Sequence, residues 1–513
     1  MLFRSQANVS SSYSTAVGYQ AAYNNASGGI TAVGFQAGFS ASSSANLTFV
    51  GNSAGLYATG GSNTAVGTSA LQGAAGLSTG ANNTAVGYQA GYSNTTGADN
   101  LYIGYTAGSG NQTGARNVAV GRDSAGSLAG SVYSFSDDVA VGYRALAYLQ
   151  TGGSNTAIGT QALYANTTAS NNTAVGFQAG YSLQTSSSNV AIGSQALYGY
   201  NNSSSGSIAI GDGAMYSVNH ATGSNIAIGL GTMRGSSATG TGNIAIGQAV
   251  MYPLTTGGNN VIVGGYNGVE TPAGRYLSSG SYNTALGTSA LANATSASYN
   301  VAIGFQALYS NVDVDNNVAI GHMAGYVYNG DYGYNTLVGH KAGYSLSAPN
   351  GYGNTFIGAN SQTGTGAGFS VTTGTQNVII GGYSGNDNGL DIRTLSNHIV
   401  LSDGAGNARG YFDGNGVFVL KPAGSPFTFS AADGSLVLNN GSTDTANIQF
   451  ATANSKNWGI DSWNSSSGNT NQYLRIVRDL QESTGKVIVQ LSDRKSTRLN
   501  SSHIPLSRMP SSA

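Results

Sequence analysis

No cysteine occurs among the 513 residues, so no disulfide staples the fold. Charge is scarce: Asp, Glu, Lys and Arg make up only 7% of the chain, against about a quarter in ordinary globular proteins. The formal net charge is -1, and the few cations are scattered singly until the last residues, so the basic footprint of a nucleic-acid binder is missing. Glutamate occurs only at Glu270 and Glu482. Glycan cleavage needs two carboxylates facing one bond, and nothing distinguishes the neighbours Asp137 and Asp138, or Asp313 and Asp315, from solvated turn residues. No apolar run is long enough to cross a bilayer as a helix. The first dozen residues lack the apolar core of a signal peptide. Scattered Gly-x-Gly strings lack the strand, helix and acidic partner of a dinucleotide site, and no cofactor is expected.

What remains is glycine, tyrosine and small aliphatics. The chain has 78 Gly, 31 Tyr and 14 Phe, and 40% of it is hydrophobic, too much buried-type surface for a disordered chain. A repeat organises it: Asn, then Thr, Val or Ile, then Ala, Val or Ile, and Gly, followed by a short pair and a second Ala. The Gly recurs 21 times from Gly18 to Gly381, most often 17 residues apart. Asn stands four before it (Asn63, Asn83, Asn155, Asn172, Asn225, Asn300, Asn377) and Ala three after it (Ala37, Ala90, Ala162, Ala179, Ala307, Ala342). Extra residues collect in Ser/Thr/Gly/Asn segments, marking one loop per turn. The unit is too short for a helix pair and suits one turn of short strands. The prediction is an all-β fold, a parallel β-solenoid or β-roll of about 21 turns, followed by a small β-rich C-terminal domain.

Alternation with period two puts Thr156 and Ile158 on one face of a strand and Ala157 on the other. The β-branched face is expected to pack inward. The alanine face is then left for close approach of another chain, which makes Ala157, Ala174 and Ala191 the candidate contacts of a trimer. Gly159 closes the strand where a residue without Cβ takes positive φ, and the Asn at the other end bonds neighbouring backbone and stacks on the next Asn. Tyrosines five after the Gly, among them Tyr164, Tyr181 and Tyr198, form a column. It either packs between chains or offers ring faces to a glycan. The longest insertions, Gly265 to Tyr282 and Ala359 to Gln376, suit specific recognition. His322 and His340 each follow the Gly of consecutive turns and would stack one rung apart, a surface ladder that is also the chain's candidate metal cluster. The string from Gly381 to Asp391 matches a calcium-binding nonapeptide only out of register, and once.

The strings NTAVGYQAGYS (Asn83 to Ser93), NTAVGFQAGYS (Asn172 to Ser182) and NVAIGSQALYG (Asn189 to Gly199) resemble the head repeats of trimeric autotransporter adhesins, the YadA-like heads, and similar repeats of phage tail-fibre proteins. The resemblance covers about residues 14 to 385. It implies a left-handed roll, three chains together, and a binding or spacer role without catalysis. The unit is longer than the usual adhesin head repeat and no heptad stalk follows it, which favours the fibre over the bacterial adhesin. A glycan-degrading tailspike is the remote alternative. The implied partners are two further copies of the chain and a host cell-surface glycan or protein receptor, with neither nucleic acid nor membrane insertion, at a virion tail or cell surface.

Four segments are expected: a repeat shaft over 1–392, a hairpin connector over 393–420, a small β-rich domain over 421–493, and a tail over 494–513. Asp-Gly and Asn-Gly turns define the connector's hairpins. Trp458 and Trp463 are expected in the core of the small domain. The tail, including His503, resembles translated sequencing-adapter read-through.

Overall fold

The computed structural model describes residues 13–420 apart from short loop segments (26–28, 42–45, 127–132, 200–204, 218–223, 236–239, 253–255, 267, 329–331, 348–350 and 388). Beyond these it describes the backbones of 447–450, 458–463, 473–478 and 487–489. It divides into two units, 1–423 and 424–513. In the second, strands Asn447–Phe450, Trp458–Trp463, Tyr473–Arg478 and Val487–Val489 form an antiparallel meander. The expected core role of Trp458 and Trp463, and the tail over 494–513, lie outside the described residues.

The first unit is a parallel β-solenoid. Twenty-one strands, from Thr15–Val17 to Val378–Ile380, lie one per turn and pair in register. Thus Ala157, Ala174 and Ala191 stand on consecutive rungs. A further strand, Ile399–Ser402, joins parallel to Val378–Ile380 before the chain turns back antiparallel through Ala408–Phe412 and Phe418–Leu420. The hairpin segment 393–420 is therefore continuous with the sheet of the shaft.

The two faces of the strands are reversed from the sequence expectation. Ala157, Ala174 and Ala191 are fully buried inside a single chain, so they cannot contact another chain. Ile158 and Ile192 point outward, 41% and 38% exposed. The reason is volume. One turn of so short a repeat encloses too little space for two β-branched side chains, and interiors tolerate neither voids nor overlap.

The compensation between rungs makes this explicit. In many rungs whose inward strand residue is Ala, such as 157, 191 and 302, the fourth residue after the Gly is large: Leu163, Leu197 and Leu308, all fully buried. The rung of Ala174 has Gly180 instead, with Leu163 and Leu183 filling the space beside it. Where the inward residue is Phe49, Tyr102 or Leu337, that fourth position carries Gly55, Gly108 or Gly343, and Phe356 faces Gly368, which follows its own strand glycine after a longer corner. A Cβ at any of these glycines would collide with the large side chain of its own rung.

A buried asparagine ladder runs beside the strands. The Oδ1 of Asn83 accepts the backbone N–H of Asn100 at 3.1 Å and the Nδ2 of Asn100 at 3.0 Å, and Asn100 serves Asn117 in the same way at 3.0 and 2.9 Å. The spare Nδ2 proton is given to a carbonyl, as from Asn155 to Ala169 at 3.0 Å. Each amide thus satisfies backbone that burial would otherwise leave unpaired.

Asp138 replaces one asparagine of the ladder. Its N–H donates to Asn117 at 3.0 Å, and its Oδ1 accepts the N–H and Nδ2 of Asn155 at 2.8 and 3.0 Å. Its Oδ2 is buried without a partner. Burial pushes this carboxyl up to about 7, outweighing the opposing bonds from Asn155. The folded chain therefore holds this proton more tightly than the unfolded chain, whose Asp titrates near pH 4. Stability from this residue is greatest below about pH 4 and is lost as pH rises through about 7. Asp138→Asn is expected to abolish that slope and to stabilise the coil at pH 8 by about 2–4 kcal/mol, read as a difference in urea midpoint between pH 5 and pH 8.

Candidate functional site

Three surface features are repeated by the solenoid: the outward sheet face and two aromatic columns. The outward face carries Val66, Val86, Ile103, Ile158, Ile192, Ile246, Leu286, Ile320, Ile357 and Ile380, each between 36% and 49% exposed. The half-buried residue at the start of most strands, such as Thr156 or Val190, flanks this stripe. Parallel pairing in register keeps the stripe aligned over the whole sheet. Side chains of this kind are ordinary singly; a continuous row is the mark of a surface that another body covers.

The first aromatic column follows the strand glycine directly. Tyr19 stacks on Phe35 at 5.5 Å between ring centroids and Tyr88 on Tyr105 at 5.0 Å. His322 stacks on Phe305 at 5.3 Å and on His340 at 5.1 Å, with the two imidazoles 11° from parallel. Parallel stacked rings aim their nitrogens side by side rather than at a common point. Among the described residues no three His, Cys, Asp or Glu side chains are grouped as a metal site would require. Burial, followed by the nearby Lys341 and His322, holds the His340 pKa below its ordinary value.

The second column lies five residues after the glycine. Tyr164, Tyr181, Tyr198 and Tyr216 stack with centroids 4.9 to 5.1 Å apart and planes within 22°. Tyr148 meets Tyr164 edge-on at 5.0 Å and closes this run at one end. Tyr309, Tyr326, Tyr344 and Phe369 form a second run with spacings of 5.0 to 5.2 Å. The rings are half-buried. Both faces of the rings inside a run are covered by the rungs on either side, so the column presents ring edges and hydroxyls along its length and whole ring faces only where a run ends.

Two interruptions escape a reading confined to tyrosine. Arg234 and Arg275 occupy the same slot as the tyrosines, with guanidinium carbons 4.8 Å over the Tyr216 ring and 4.5 Å over the Tyr252 ring. The equal spacing from the strand glycine at Arg234 was available in the sequence. At Arg275 an insertion hides it. The N–H of the alanine three after the strand glycine regularly donates to that glycine's carbonyl, as Ala162 does to Gly159 at 3.3 Å; here Ala273 donates to Gly264 at 3.3 Å. Six extra residues are thus looped out at this corner. A second loop of the same size lies between Gly358 and Ala367, whose N–H donates to Gly358 at 3.1 Å. The long segments singled out in the sequence owe part of their length to these corner loops.

Several carboxylates serve structural roles. Asp137 pairs with Arg116 at 2.6 Å, the Asp315 Oδ1 accepts the Ser298 N–H at 2.6 Å, and Glu270 accepts from Gln306 at 3.2 Å. Asp403 and Asp413 accept N–H groups within their own hairpin turns. No described helix is long and apolar enough to cross a membrane. Comparisons with protein-family models, with curated proteins and with solved structures find no match to this chain.

Proposed function

We propose that the chain is the shaft of a homotrimeric extracellular fibre of the phage tail-fibre type, which presents its aromatic columns to a host cell surface. The observation that carries this reading is the unbroken outward stripe of Val, Ile and Leu on the sheet. A single coil leaves that stripe wet on every rung, and so small an interior contributes little packing of its own. Lateral association of identical coils covers it at the cost of few desolvated charges, since the twenty-one strands from Thr15–Val17 to Val378–Ile380 carry none. The repeat's resemblance to adhesin heads and tail fibres supports three copies rather than two. The columns Tyr164, Tyr181 and Tyr198, with apolar ring and polar tip, suit contact with a glycan coat.

Sedimentation equilibrium of the full chain tests the assembly. A mass of three chains is expected, and Ile158→Asp with Ile192→Asp is expected to yield single chains that keep their β-rich circular dichroism. A chain that remains single before mutation would rule out the fibre.

A further inference from the structure

We propose that the groove around Arg234, Tyr252 and Arg275 binds an acidic oligosaccharide, one whose pyranose rings carry carboxylates; this rests on the reading that the fibre meets a glycan surface and names the chemistry met there. Seven arginines have described side chains. Arg116, Arg122, Arg144, Arg393 and Arg409 all pair with an aspartate. Arg234 and Arg275 are the two for which the described residues show no ion pair, and both line the same groove.

That groove has a volume of about 270 Å³ and includes Asp212, Leu230, Gln248 and Tyr252. It adjoins a second of about 420 Å³, which shares Gln248, Ala249 and Arg275 and is walled by the looped-out corner through Tyr266, Val269 and Pro272. Val269 is 86% exposed on that wall. The six-residue loop therefore turns an otherwise flat flank of the coil into a trough, at the place where the tyrosine column gives way to alternating Tyr and Arg.

The chemistry of the trough is specific. Each guanidinium lies over a tyrosine ring, which fixes its plane and leaves its edge of N–H donors free for the two oxygens of a carboxylate. Tyr252, Tyr266 and Tyr276 supply surfaces on which the C–H face of a sugar ring packs, and Gln248, Thr271 and Asp212 supply partners for hydroxyls. Two cations against one lining carboxylate, Asp212, favour an anionic over a neutral chain. The repeat sets the guanidiniums two rungs apart along the axis, so a linear polymer lying along the shaft meets both.

Isothermal titration of the full chain with tetragalacturonate, hyaluronan tetrasaccharide, sialyllactose, neutral maltotetraose and inorganic phosphate tests the proposal. At least one acidic sugar is expected to bind saturably and to weaken with added salt, with maltotetraose and phosphate at least about tenfold weaker. Arg234→Gln and Arg275→Gln are each expected to weaken it about tenfold, whereas Arg393→Gln, whose parent residue is paired with Asp391 elsewhere, leaves it unchanged. No binding by any acidic sugar, equal binding of maltotetraose or of phosphate alone, or full affinity in both groove variants would overturn the site. Sedimentation of the same samples separates the two readings: lost binding with a three-chain mass sinks only the groove, and a single-chain mass with binding intact sinks only the fibre.

Discussion

Replacing Ala174 by aspartate is expected to unfold the middle of the coil rather than to release one chain from another. The Ala174 side chain is fully enclosed, in register between Ala157 and Ala191 and close to Leu163 and Leu183. A carboxylate there meets neither water nor a cation, and the space around a methyl group does not admit its extra atoms. Burial of an unpaired charge together with overpacking gives a cost of about 4 kcal/mol or more. In a linear array the loss is felt first by the neighbouring rungs, so amide exchange is expected to accelerate over residues 156–192 before the ends of the coil. Val175→Asp, one residue on and facing outward, is expected to change single-coil stability by no more than about 1 kcal/mol. The pair of variants places the same side chain and the same charge on the inside and on the outside.

Gly176→Ala should destabilise nearly as much, for a backbone reason. Gly176 has φ of +138°, a conformation that residues with a Cβ rarely adopt. An added Cβ would also lie 2.5 Å from the carbonyl oxygen of Gly193 and 2.7 Å from its carbon. That neighbour is the backbone of the next rung, held by the pairing Val175 to Ile192, and cannot yield without opening the ladder. Strain and collision together give about 3 kcal/mol, measurable as a lowered thermal midpoint. The same geometry at Gly159, with φ of +135°, explains why the glycine returns on every turn. It is required by the rung that follows as much as by its own turn.

Most of the architecture was legible because a solenoid writes its geometry into its period. Asn and Gly at fixed offsets located all the strands from Thr15–Val17 to Val378–Ile380, and the Asp-Gly and Asn-Gly turns located the terminal hairpins. What the period left open was the sign of the alternation. Two faces repeat every second residue, and β propensity suggests that the branched one is buried. The enclosed volume decides otherwise. The deciding signal was in the sequence as an exchange of bulk: Phe49 with Gly55, Tyr102 with Gly108, Leu337 with Gly343, against Ala157 with Leu163. Only two residues that share one interior compensate each other in this way.

The candidate sites divide along the same line. The tyrosine column at Tyr164, Tyr181 and Tyr198 follows from spacing alone, and so does the stacking of His322 on His340. The trough at Arg234 and Arg275 does not, because it depends on a loop folding back against a neighbouring rung, and on which arginines find an aspartate. Neither is a property of the repeat. Asp138 lay in plain view as a substitution in the asparagine position, but its raised pKa follows from burial on the ladder, which the offsets alone did not reveal.

The central claim is that the middle residue of each shaft strand, most often alanine, faces the inside of the coil while the branched aliphatic after it lies on the outward face, where chains are proposed to meet. Because the chain has no cysteine, single-cysteine variants report on this directly. Ala191→Cys and Ile192→Cys are adjacent residues on one strand. Reaction of the native protein with a short bis-maleimide should leave Cys at the first position unmodified until the coil is unfolded, and should join chains through the second. Rapid labelling at position 191 with protection at position 192 in isolated single chains would contradict the account.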